Sequence, residues 1–491
     1  MLSVSEVAVE SFAVTGVSRE YLLHHRVCPD KLGDDGKLIV AVAPGAFLEA
    51  IPELGDIYGR TIVTRDTNDD DLERMIERAT AHAGDGSDMG SGSDEGTADV
   101  REIANQPPVI RYVNTLLHDA YEAGASDVHI ESTRGGATAR VRVDGVLAPT
   151  MEPPRRLHEA VVSRLKLLAD LDISERRRPQ DGRIRVRVED TELYLRVSTV
   201  PTVYGESVVL RLLDRGSRPV DLTALGMPRS ILHDMIAAID RPHGMVLVTG
   251  PTGSGKTTTL YSALRRRDIQ SEKIVTVEDP VEYQLDGVTQ VPVHRQAGVT
   301  FASALRSILR QDPDVVMIGE MRDTETAEIA IQASMTGHLV FSTLHTNDAV
   351  GALPRLFDLG VAPYLVAATL TAVMAQRLVR IACPQCKTAE KPRSEIVAIQ
   401  ERVAPEISSA EFVHSNGCAA CRGTGFRGRI GIFEMVSMDE SLRTAISKGA
   451  SRVELESLAD GRGYRPMIAD GIAKAAAGIT TVDEVLRVCN A

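Results

Sequence analysis

The residues that point most directly to chemistry form a short glycine-rich segment, Gly250-Pro-Thr-Gly-Ser-Gly-Lys256-Thr257. The segment satisfies the pattern G-x-x-x-x-G-K-[ST], in which glycines let backbone N–H groups turn toward a chain of phosphates. In this pattern the lysine reaches the β and γ phosphates, and the hydroxyl of the last residue binds Mg²⁺. The sequence therefore predicts that Lys256 and Thr257 hold a nucleoside triphosphate and its Mg²⁺.

The residues around this loop predict the strand and the helix that such a loop joins. The apolar run 245–249 is typical of a buried strand, and residues 258–264 are typical of a helix. A glycine-rich turn that binds nothing would not explain why strand, loop and helix agree. We expect the nucleotide to be bound by Gly250, Pro251, Thr252, Gly253, Ser254, Gly255, Lys256, Thr257 and Thr258.

Three further predicted strands carry polar residues where they end. The strand at 273–278 ends at Glu278, the strand at 314–319 is followed by Glu320, and the strand at 338–344 is followed by His345. In open α/β sheets, chemistry is done at the carboxyl ends of the strands. Any one of these residues could be a solvated strand end, but three beside a phosphate-binding loop favour a common site.

The strand Val315-Val-Met-Ile318 departs from the usual form of a Walker B strand. An aspartate that binds Mg²⁺ directly is expected after it, but Gly319 stands there and Glu320 follows. We expect Glu320 to hold the ion through water and Glu278 to orient the attacking water. An ionised carboxylate beside Mg²⁺ can orient water without a raised pKa.

Four of the six cysteines occur as two C-x₂-C pairs, Cys383/Cys386 and Cys418/Cys421, separated by 31 residues. Two such pairs in a cytosolic chain are typical of a tetrahedral Zn²⁺ site. The bound metal would stabilise the fold of an insertion that is otherwise weakly packed. A redox dithiol or a pair of disulfides is the alternative. The glycine-rich turn after Cys421 favours the metal.

The 491 residues predict about three domains of an α/β fold class. The expected architecture is a RecA-like P-loop NTPase domain with a preceding antiparallel α+β domain, a small N-terminal module and a tetracysteine zinc insertion. The predicted borders are 1–70 for a partner-binding module, 71–105 for a flexible acidic linker, 106–220 for the α+β (PAS-like) domain, 221–380 for the RecA-like ATPase domain, 381–430 for the zinc-binding insertion and 431–491 for a C-terminal helical region.

Composition excludes some classes of function. A net charge of −13 and an aromatic content of 4%, with no tryptophan, argue against broad nucleic-acid binding. No apolar run reaches the roughly 18 residues that span a bilayer; the nearest, 361–375, predicts a buried helix. Because no secretion signal is visible at the N-terminus, we expect a cytosolic protein that docks on a membrane through a partner.

Two groups of arginines each leave two alternative roles open. Six arginines fall within 176–187, where a lipid or nucleic-acid patch competes with contacts between domains or subunits. Strand alternation would spread these side chains over two faces, which favours the contacts. Arg306 and Arg310 share a helix face and either reach a neighbouring subunit or pair with acids.

Four ordered motifs resemble those of the secretion ATPase family, which powers type II secretion, type IV pili and related machines. They are the loop at 250–259, Val-Glu-Asp-Pro-Val-Glu at 277–282, Ile-Gly-Glu-Met-Arg-Asp at 318–323, and Thr-Gly-His-Leu-Val-Phe-Ser-Thr-Leu-His-Thr-Asn at 336–347. The resemblance covers roughly 105–491. The four cysteines restrict the resemblance to the branch that contains the type II secretion (GspE-like) and pilus-assembly (PilB-like) ATPases. The short N-terminal module favours the type II secretion ATPases.

The resemblance implies roles for individual residues. Glu278 lies in the family's Asp box, Glu320 is its Walker B glutamate, and His345 matches a residue that senses the γ-phosphate. Arg196 and Arg211 of the second domain match arginines that approach the nucleotide. Permanently charged guanidinium groups suit this task because they stabilise phosphoryl charge, typically by about 10³–10⁵ in rate. Without the family, both arginines could be ordinary surface residues.

The resemblance also implies cofactors, partners and a place in the cell. It predicts an ATPase that uses ATP, Mg²⁺ and Zn²⁺ and works as a homo-hexamer at the cytoplasmic face of the inner membrane. Residues 1–70 and the ATPase ring would bind platform proteins of the GspL and GspF type, and no nucleic acid is expected. The expected function is to power type II secretion by pseudopilus assembly. The alternatives are a pilus-assembly ATPase, a nucleic-acid motor and a nucleotide-gated scaffold.

Overall fold

A computed structural model describes most of the chain, namely residues 19–33, 36–47, 50–58, 60–81, 107–154, 157–188, 191–213, 220–391, 393–405, 407, 412–461 and 463–489. Most of the predicted acidic linker, 82–105, lies outside these ranges. Within them the strands form four separate sheets.

The N-terminal sheet has three strands, with β1 antiparallel to β2 and β2 parallel to β3. Leu72 and Ile76 of the helix after β3 are buried in the core of this module. The packed part of the module therefore extends beyond residue 70, the predicted border. Its elements are α1 Arg19–His25, β1 Val27–Leu32, β2 Leu38–Val42, α2 Ala50–Tyr58, β3 Ile62–Asp66 and α3 Asp69–Ala81.

The second sheet has six strands in the order β6-β5-β4-β9-β8-β7, and all of its neighbouring pairs are antiparallel. Along β8, Leu195 and Val197 are buried on the helix-covered face while Arg196 between them is exposed. This period of two confirms the predicted antiparallel α+β fold. The elements are α4 Pro107–Glu122, β4 Ala125–Thr133, β5 Gly136–Val143, β6 Val146–Pro149, α5 His158–Leu168, β7 Gln180–Val188, β8 Thr191–Thr202 and β9 Gly205–Leu213.

The third sheet has seven strands in the order β12-β11-β13-β14-β10-β15-β18, parallel except for β18. Every residue of β10, β13 and β14 is buried, because helices cover both faces of a parallel sheet. The first elements are α6 Arg229–Ile239, β10 Gly244–Thr249, α7 Lys256–Arg266, β11 Ile274–Glu278, β12 Thr289–Pro292, α8 Phe301–Ile308, β13 Val315–Ile318, α9 Thr324–Met335, β14 Leu339–Leu344, α10 Ala352–Asp358, α11 Pro363–Thr369 and β15 Leu370–Ala382.

The prediction of one buried helix over 361–375 is wrong in its second half. The helix α11 ends at Thr369, and β15 begins at Leu370 as a parallel neighbour of β10. An apolar run that is buried on all sides has no period that tells a helix from a strand. Pairing with β10 decides the matter.

β15 and β18 form a long antiparallel pair that crosses the predicted borders of the insertion at 380/381 and 430/431. A small two-stranded sheet and a helix lie between these strands in sequence, and four helices follow. No helix of the described residues has the length and apolar character needed to span a bilayer. The elements are β16 Lys387–Glu390, α12 Ser394–Val403, β17 Phe412–Ser415, β18 Phe426–Ser437, α13 Glu440–Ser447, α14 Arg452–Asp460, α15 Met467–Ala476 and α16 Val482–Cys489.

Candidate active site

Four parallel strands end at one edge of the large sheet, and each carries a predicted site residue there. The glycine-rich loop follows β10, Glu278 ends β11, Glu320 follows β13 and His345 follows β14. Because parallel strands share a direction, their carboxyl ends meet at the same edge. By contrast, His338, the other histidine of the motif at 336–347, lies at the opposite end of β14, where its Nδ1 is 2.9 Å from the carbonyl of Ala333.

The glycine-rich loop needs glycine at two positions that press against β15. Gly250 and Gly255 have φ of 145° and 88°, values that residues with a Cβ rarely adopt. A Cβ at Gly250 would lie 2.4 Å from the backbone oxygen of Gln376, and a Cβ at Gly255 would lie 2.8 Å from its Nε2. The loop can therefore take this shape only without side chains at both positions.

Polar groups of the loop converge in a way that suits an anion. The ammonium of Lys256 donates hydrogen bonds to the carbonyls of Gly250 and Pro251, at 2.7 and 3.0 Å. Burial lowers the pKa of Lys256 to about 8, although the nearby Glu320 raises it. The buried hydroxyl of Ser254 has no hydrogen-bond partner within the described part of the chain. A positive side chain and an unsatisfied donor at a helix N-terminus fit a phosphate group.

Glu320 lies between three cationic or titratable side chains. Its Oε2 is 2.7 Å from Nε of Arg322 and 3.5 Å from Nε2 of His345, and its side chain is mostly buried. Burial lowers the pKa of His345, and the positive charge of Lys256 lowers it further. Glu320, His345 and Lys256 are thus close enough to influence one another electrostatically.

Packing explains why the Walker B strand is followed by glycine. A Cβ at Gly319 would lie 3.3 Å from the carbonyl of Val277 and 3.4 Å from the Cα of Glu278. This approach is tight for any Cβ and leaves little room for the larger aspartate side chain. The structure therefore offers the carboxylate of the next residue, Glu320, to the site.

Glu278 is almost fully buried, and side-chain donors occupy both of its oxygens. Oε1 accepts hydrogen bonds from the Thr276 hydroxyl at 2.6 Å and from Nε2 of Gln290 at 3.0 Å, and Oε2 accepts one from the Tyr261 hydroxyl. Burial, and then the negative charge of Glu278, raise the pKa of Tyr261. Sequence reasoning placed Glu278 at the strand end but did not foresee this shell of donors.

The loop that carries His345 is held from two sides. The Thr249 hydroxyl, at the end of β10, is 2.7 Å from the Thr346 hydroxyl and accepts a hydrogen bond from its N–H. Glu434 of β18 accepts hydrogen bonds from the N–H groups of Ala349 and Met467, at 2.6 and 2.7 Å. The position of this loop therefore depends on the strand before the glycine-rich loop and on the C-terminal helices.

Arg196 and Arg211 lie on the exposed face of the six-stranded sheet, directly opposite each other on β8 and β9. Arg211 also donates a 2.8 Å hydrogen bond to the buried Asp127. Desolvation raises the pKa of Glu282, in the loop after β11, while Arg211 and Arg196 lower it. Both arginines are therefore close enough to Glu282 to act on it electrostatically.

The remaining arginines identified from the sequence have partners of other kinds. Arg306 pairs with Glu325 at 2.7 Å, and Arg310 donates to the backbone carbonyl of Arg306 at 2.9 Å. In the run 176–187, Arg176 lies 3.0 Å from Glu159. The Arg306 contact fits the alternative of pairing with an acid, whereas Arg310 contacts a backbone carbonyl and Arg176 pairs with an acid of its own domain.

The four paired cysteines form one cluster at the end of the β15–β18 pair. All four sulfurs lie within 4.8 Å of one another, and three of their separations are 3.9, 3.9 and 3.7 Å. With Zn–S bonds near 2.3 Å, the sulfurs of a tetrahedral site are about 3.8 Å apart. The Sγ of Cys421 also accepts hydrogen bonds from the N–H groups of Cys418 and Gly425. The thiols are free, and the donor set fits Zn²⁺.

Sequence reasoning missed three residues of this region. Gln376 contacts the glycine-rich loop, Tyr261 binds Glu278, and Asp127 binds Arg211. For Gln376 a signal was present, because a glutamine and two arginines interrupt the apolar run 370–382. Tyr261 and Asp127 carried no signal apart from their places beside predicted site residues.

Comparison with known proteins agrees with this geometry. The family of type II/IV secretion system proteins matches residues 102–487. The chain is 45% identical over 486 residues to the type II secretion system protein E of Xanthomonas campestris pv. campestris, covering 97% of this chain and 85% of that protein. It is 41% identical over 499 residues to the type IV pilus assembly ATPase PilB of Myxococcus xanthus, covering 99% and 88%.

A solved structure supports the architecture. The crystal structure of the pilus retraction motor PilT with bound ADP is 26% identical to this chain, with a TM-score of 0.53. The match covers 77% of this chain and 96% of that one. The phosphate-binding loop, the sheet edge and the sequence match agree, and the chain belongs to the type II/IV secretion system protein family, a family of secretion ATPases.

Proposed function

We propose that this chain is the cytoplasmic ATPase that powers type II protein secretion across the outer membrane by driving pseudopilus assembly. The observation that carries the proposal is the grouping of Lys256, Glu320 and His345 at the edge where four parallel strands end. The 45% identity to a type II secretion system protein E over nearly the whole chain supports the choice of process.

The phosphate-binding loop binds the phosphates of ATP. The ammonium of Lys256 exchanges two neutral loop carbonyls for anionic phosphate oxygens, and the loop N–H groups and the start of α7 add further donors. Thr257 and, through water, Glu320 would hold Mg²⁺, which neutralises charge that develops on the phosphates. Lys256 and Thr257 are adjacent on the first turn of α7, so the helix fixes both.

The carboxylates of Glu320 and Glu278 have separate roles at the site. Glu320 reaches into the site, and His345 beside it provides a donor that can respond to the γ-phosphate. Glu278 orients the attacking water, which requires either a free lone pair of its carboxylate or the release of Tyr261 from it.

The α+β domain contributes positive charge from outside the large sheet. Arg196 and Arg211 would close on the phosphates of the nucleotide and withdraw after phosphate leaves, so that hydrolysis moves one domain against the other. Their influence on Glu282 supports this direction of approach. Because arginine stays charged, closure delivers charge to the transition state without a proton transfer.

We propose that the working form is a homo-hexameric ring attached peripherally to the inner membrane. The N-terminal module would bind a GspL-like platform protein, and the ring a GspF-like one. The tetracysteine centre would hold one structural Zn²⁺, which ties the end of β15 to the start of β18. Zinc bound by four thiolates has no open position, so its role is structural.

Genetic replacement in the source organism tests the process. The gene is deleted and then restored with the natural sequence or with Lys256→Ala. Type II secretion predicts that exoproteins collect inside the deletion strain while surface pili persist, and that only the natural sequence restores export. Normal export with lost pili would instead establish the pilus-assembly alternative, a result that would fit the 41% identity to PilB.

The biochemical half of the proposal is tested on purified, concentrated protein. Phosphate release from ATP should require Mg²⁺ and vanish in Lys256→Ala. Absence of hydrolysis in assembled wild-type protein would contradict the proposal and favour a nucleotide-gated scaffold. Stimulation by DNA at physiological salt, without an effect of a membrane partner, would favour a nucleic-acid motor.

A further inference from the structure

We propose that Arg183 is a third arginine of the nucleotide-facing surface of the α+β sheet and contacts the phosphate chain of ATP together with Arg196 and Arg211. The inference rests on the proposed function and adds a residue to its site. It also gives a role to one member of the arginine run 176–187.

Strand register places the three arginines in one row. Arg183 of β7 lies directly opposite Arg196 of β8, and Arg196 lies directly opposite Arg211 of β9. Residues directly opposite in antiparallel strands project from the same face, with Cβ atoms about 5 Å apart. All three arginines are exposed, so their guanidinium groups line one accessible row across three neighbouring strands.

The aspartate in this row forms its closest ion pair with Arg211. The row continues from Arg211 to Asp127 of β4 and then to Arg142 of β5. Asp127 lies 2.8 Å from Arg211 and 4.0 Å from Arg142. Among the residues that the structure describes, neither Arg183 nor Arg196 forms an ion pair with a carboxylate.

The next arginines along β7 have surroundings of a different kind. Arg185 lies over the ring of Tyr194, 5.7 Å from its centroid, and Arg187 stands opposite Glu192 in the strand register. Like charges placed directly opposite on a sheet are destabilising. The Arg183–Arg196 pair is therefore an arrangement that an anionic ligand would stabilise, whereas Arg185 has an aromatic partner and Arg187 has an interaction within the chain.

Two arginines of the row act on a carboxylate beside the catalytic edge of the large sheet. Arg211 and Arg196 both act electrostatically on Glu282 in the loop after β11. The turn after β5 is anchored to β18, because Asp144 accepts a 2.8 Å hydrogen bond from the N–H of Gly428 and lies 3.4 Å from Arg429. This contact holds one end of the six-stranded sheet against the start of β18.

The chemistry of the row suits phosphate more than other anions of similar charge. A guanidinium group donates two parallel hydrogen bonds to phosphate oxygens and stays charged at any physiological pH. Three such groups in line match a ligand whose negative charges are also in line, as in a triphosphate. A lysine at position 183 would keep the charge but lose the paired hydrogen bonds.

The test compares full-length Arg183→Gln and Arg183→Lys with the matched control Arg187→Gln, from the same strand and face. Phosphate release is measured against ATP concentration, with thermal unfolding and oligomeric state in parallel. We expect Arg183→Gln to lower kcat by about tenfold or more, less than the full effect of an arginine finger. Arg183→Lys should recover part of the loss, and Arg187→Gln should match the natural protein. The unfolding midpoint and oligomeric state of the two Gln variants should be alike.

Three results would overturn the inference. They are natural kcat and KM in Arg183→Gln, a loss of activity that comes with a loss of assembly, and a loss of activity that Arg187→Gln shares. Natural turnover with lost binding to anionic vesicles or to nucleic acid would assign the row to those ligands instead. Failure of the natural protein to hydrolyse ATP would contradict the proposed function itself and is read in the same assay before any variant.

Discussion

Gln376 of β15 accepts a 2.6 Å hydrogen bond from the buried hydroxyl of Thr259 on α7, the helix that begins at the phosphate-binding loop. The same glutamine approaches Gly250 through its backbone oxygen and Gly255 through its Nε2. One residue of the neighbouring strand therefore contacts both ends of the loop and the first turns of its helix. We infer that Gln376 is a positioning residue for ATP binding.

This relationship predicts the effect of Gln376→Leu. The substitution keeps the size of the side chain but leaves the Thr259 hydroxyl buried without an acceptor, which costs about 1–3 kcal/mol of stability. We expect a lower unfolding midpoint and a several-fold weaker affinity for a fluorescent ATP analogue. Adding Thr259→Val should recover part of the stability, since both polar groups are then gone. An equal loss of stability and ATP affinity in the exposed control Gln332→Leu would argue against a specific role of Gln376.

The two site carboxylates are expected to respond differently to loss of charge. Glu320→Gln should leave stability nearly unchanged and lower turnover by about 10²–10⁴-fold, with ATP binding retained. Glu278→Gln should also lower turnover by orders of magnitude, but its amide N–H₂ must face either the Tyr261 hydroxyl or the donors of Thr276 and Gln290, since these occupy different oxygens of Glu278. It should therefore lower the unfolding midpoint as well. Phosphate release, nucleotide binding and thermal unfolding of both variants check this.

Tyr261→Phe separates the chemical role of Glu278 from a structural one. The variant removes one donor from the carboxylate but keeps its negative charge. If the charge acts on the attacking water, Tyr261→Phe should retain most of its turnover while Glu278→Gln does not. Equal turnover in the two variants would mean that Glu278 serves only to hold Tyr261.

The sequence predicts those features that depend on local pattern. Alternating residues along β8 and buried runs at β10, β13 and β14 carry their own period or length, and the loop motif carries its spacing. The strand β15 was missed because burial on all sides erases the period, and only pairing with β10 distinguishes it from a helix. The donors around Glu278 were missed for a related reason, since Tyr261 and Gln290 reach it from other elements.

The tetracysteine cluster predicts about one Zn²⁺ per chain. Cys383→Ser or Cys418→Ser should remove the metal, as measured by elemental analysis, and lower the unfolding midpoint. Because β15 runs from Gln376 to the cluster, we expect a smaller, secondary loss of ATP affinity. Cys28→Ser, at a buried cysteine outside the cluster, should keep the metal. Disulfides in stoichiometric amount would instead support the redox alternative.

The lowered pKa of Lys256, about 8, predicts that ATP affinity depends on pH. Below this value the lysine of the free protein is protonated, and its titration does not affect binding. Phosphate oxygens around the ammonium raise the pKa in the complex, so above about pH 8 binding must take up a proton. The Kd for ATP should then rise by up to about tenfold per pH unit between about pH 8 and about pH 9.5. In Lys256→Ala, ATP should bind weakly, and its Kd should not depend on pH in this range. If the Kd of the natural protein is also independent of pH, the ammonium of Lys256 does not take up a proton on binding.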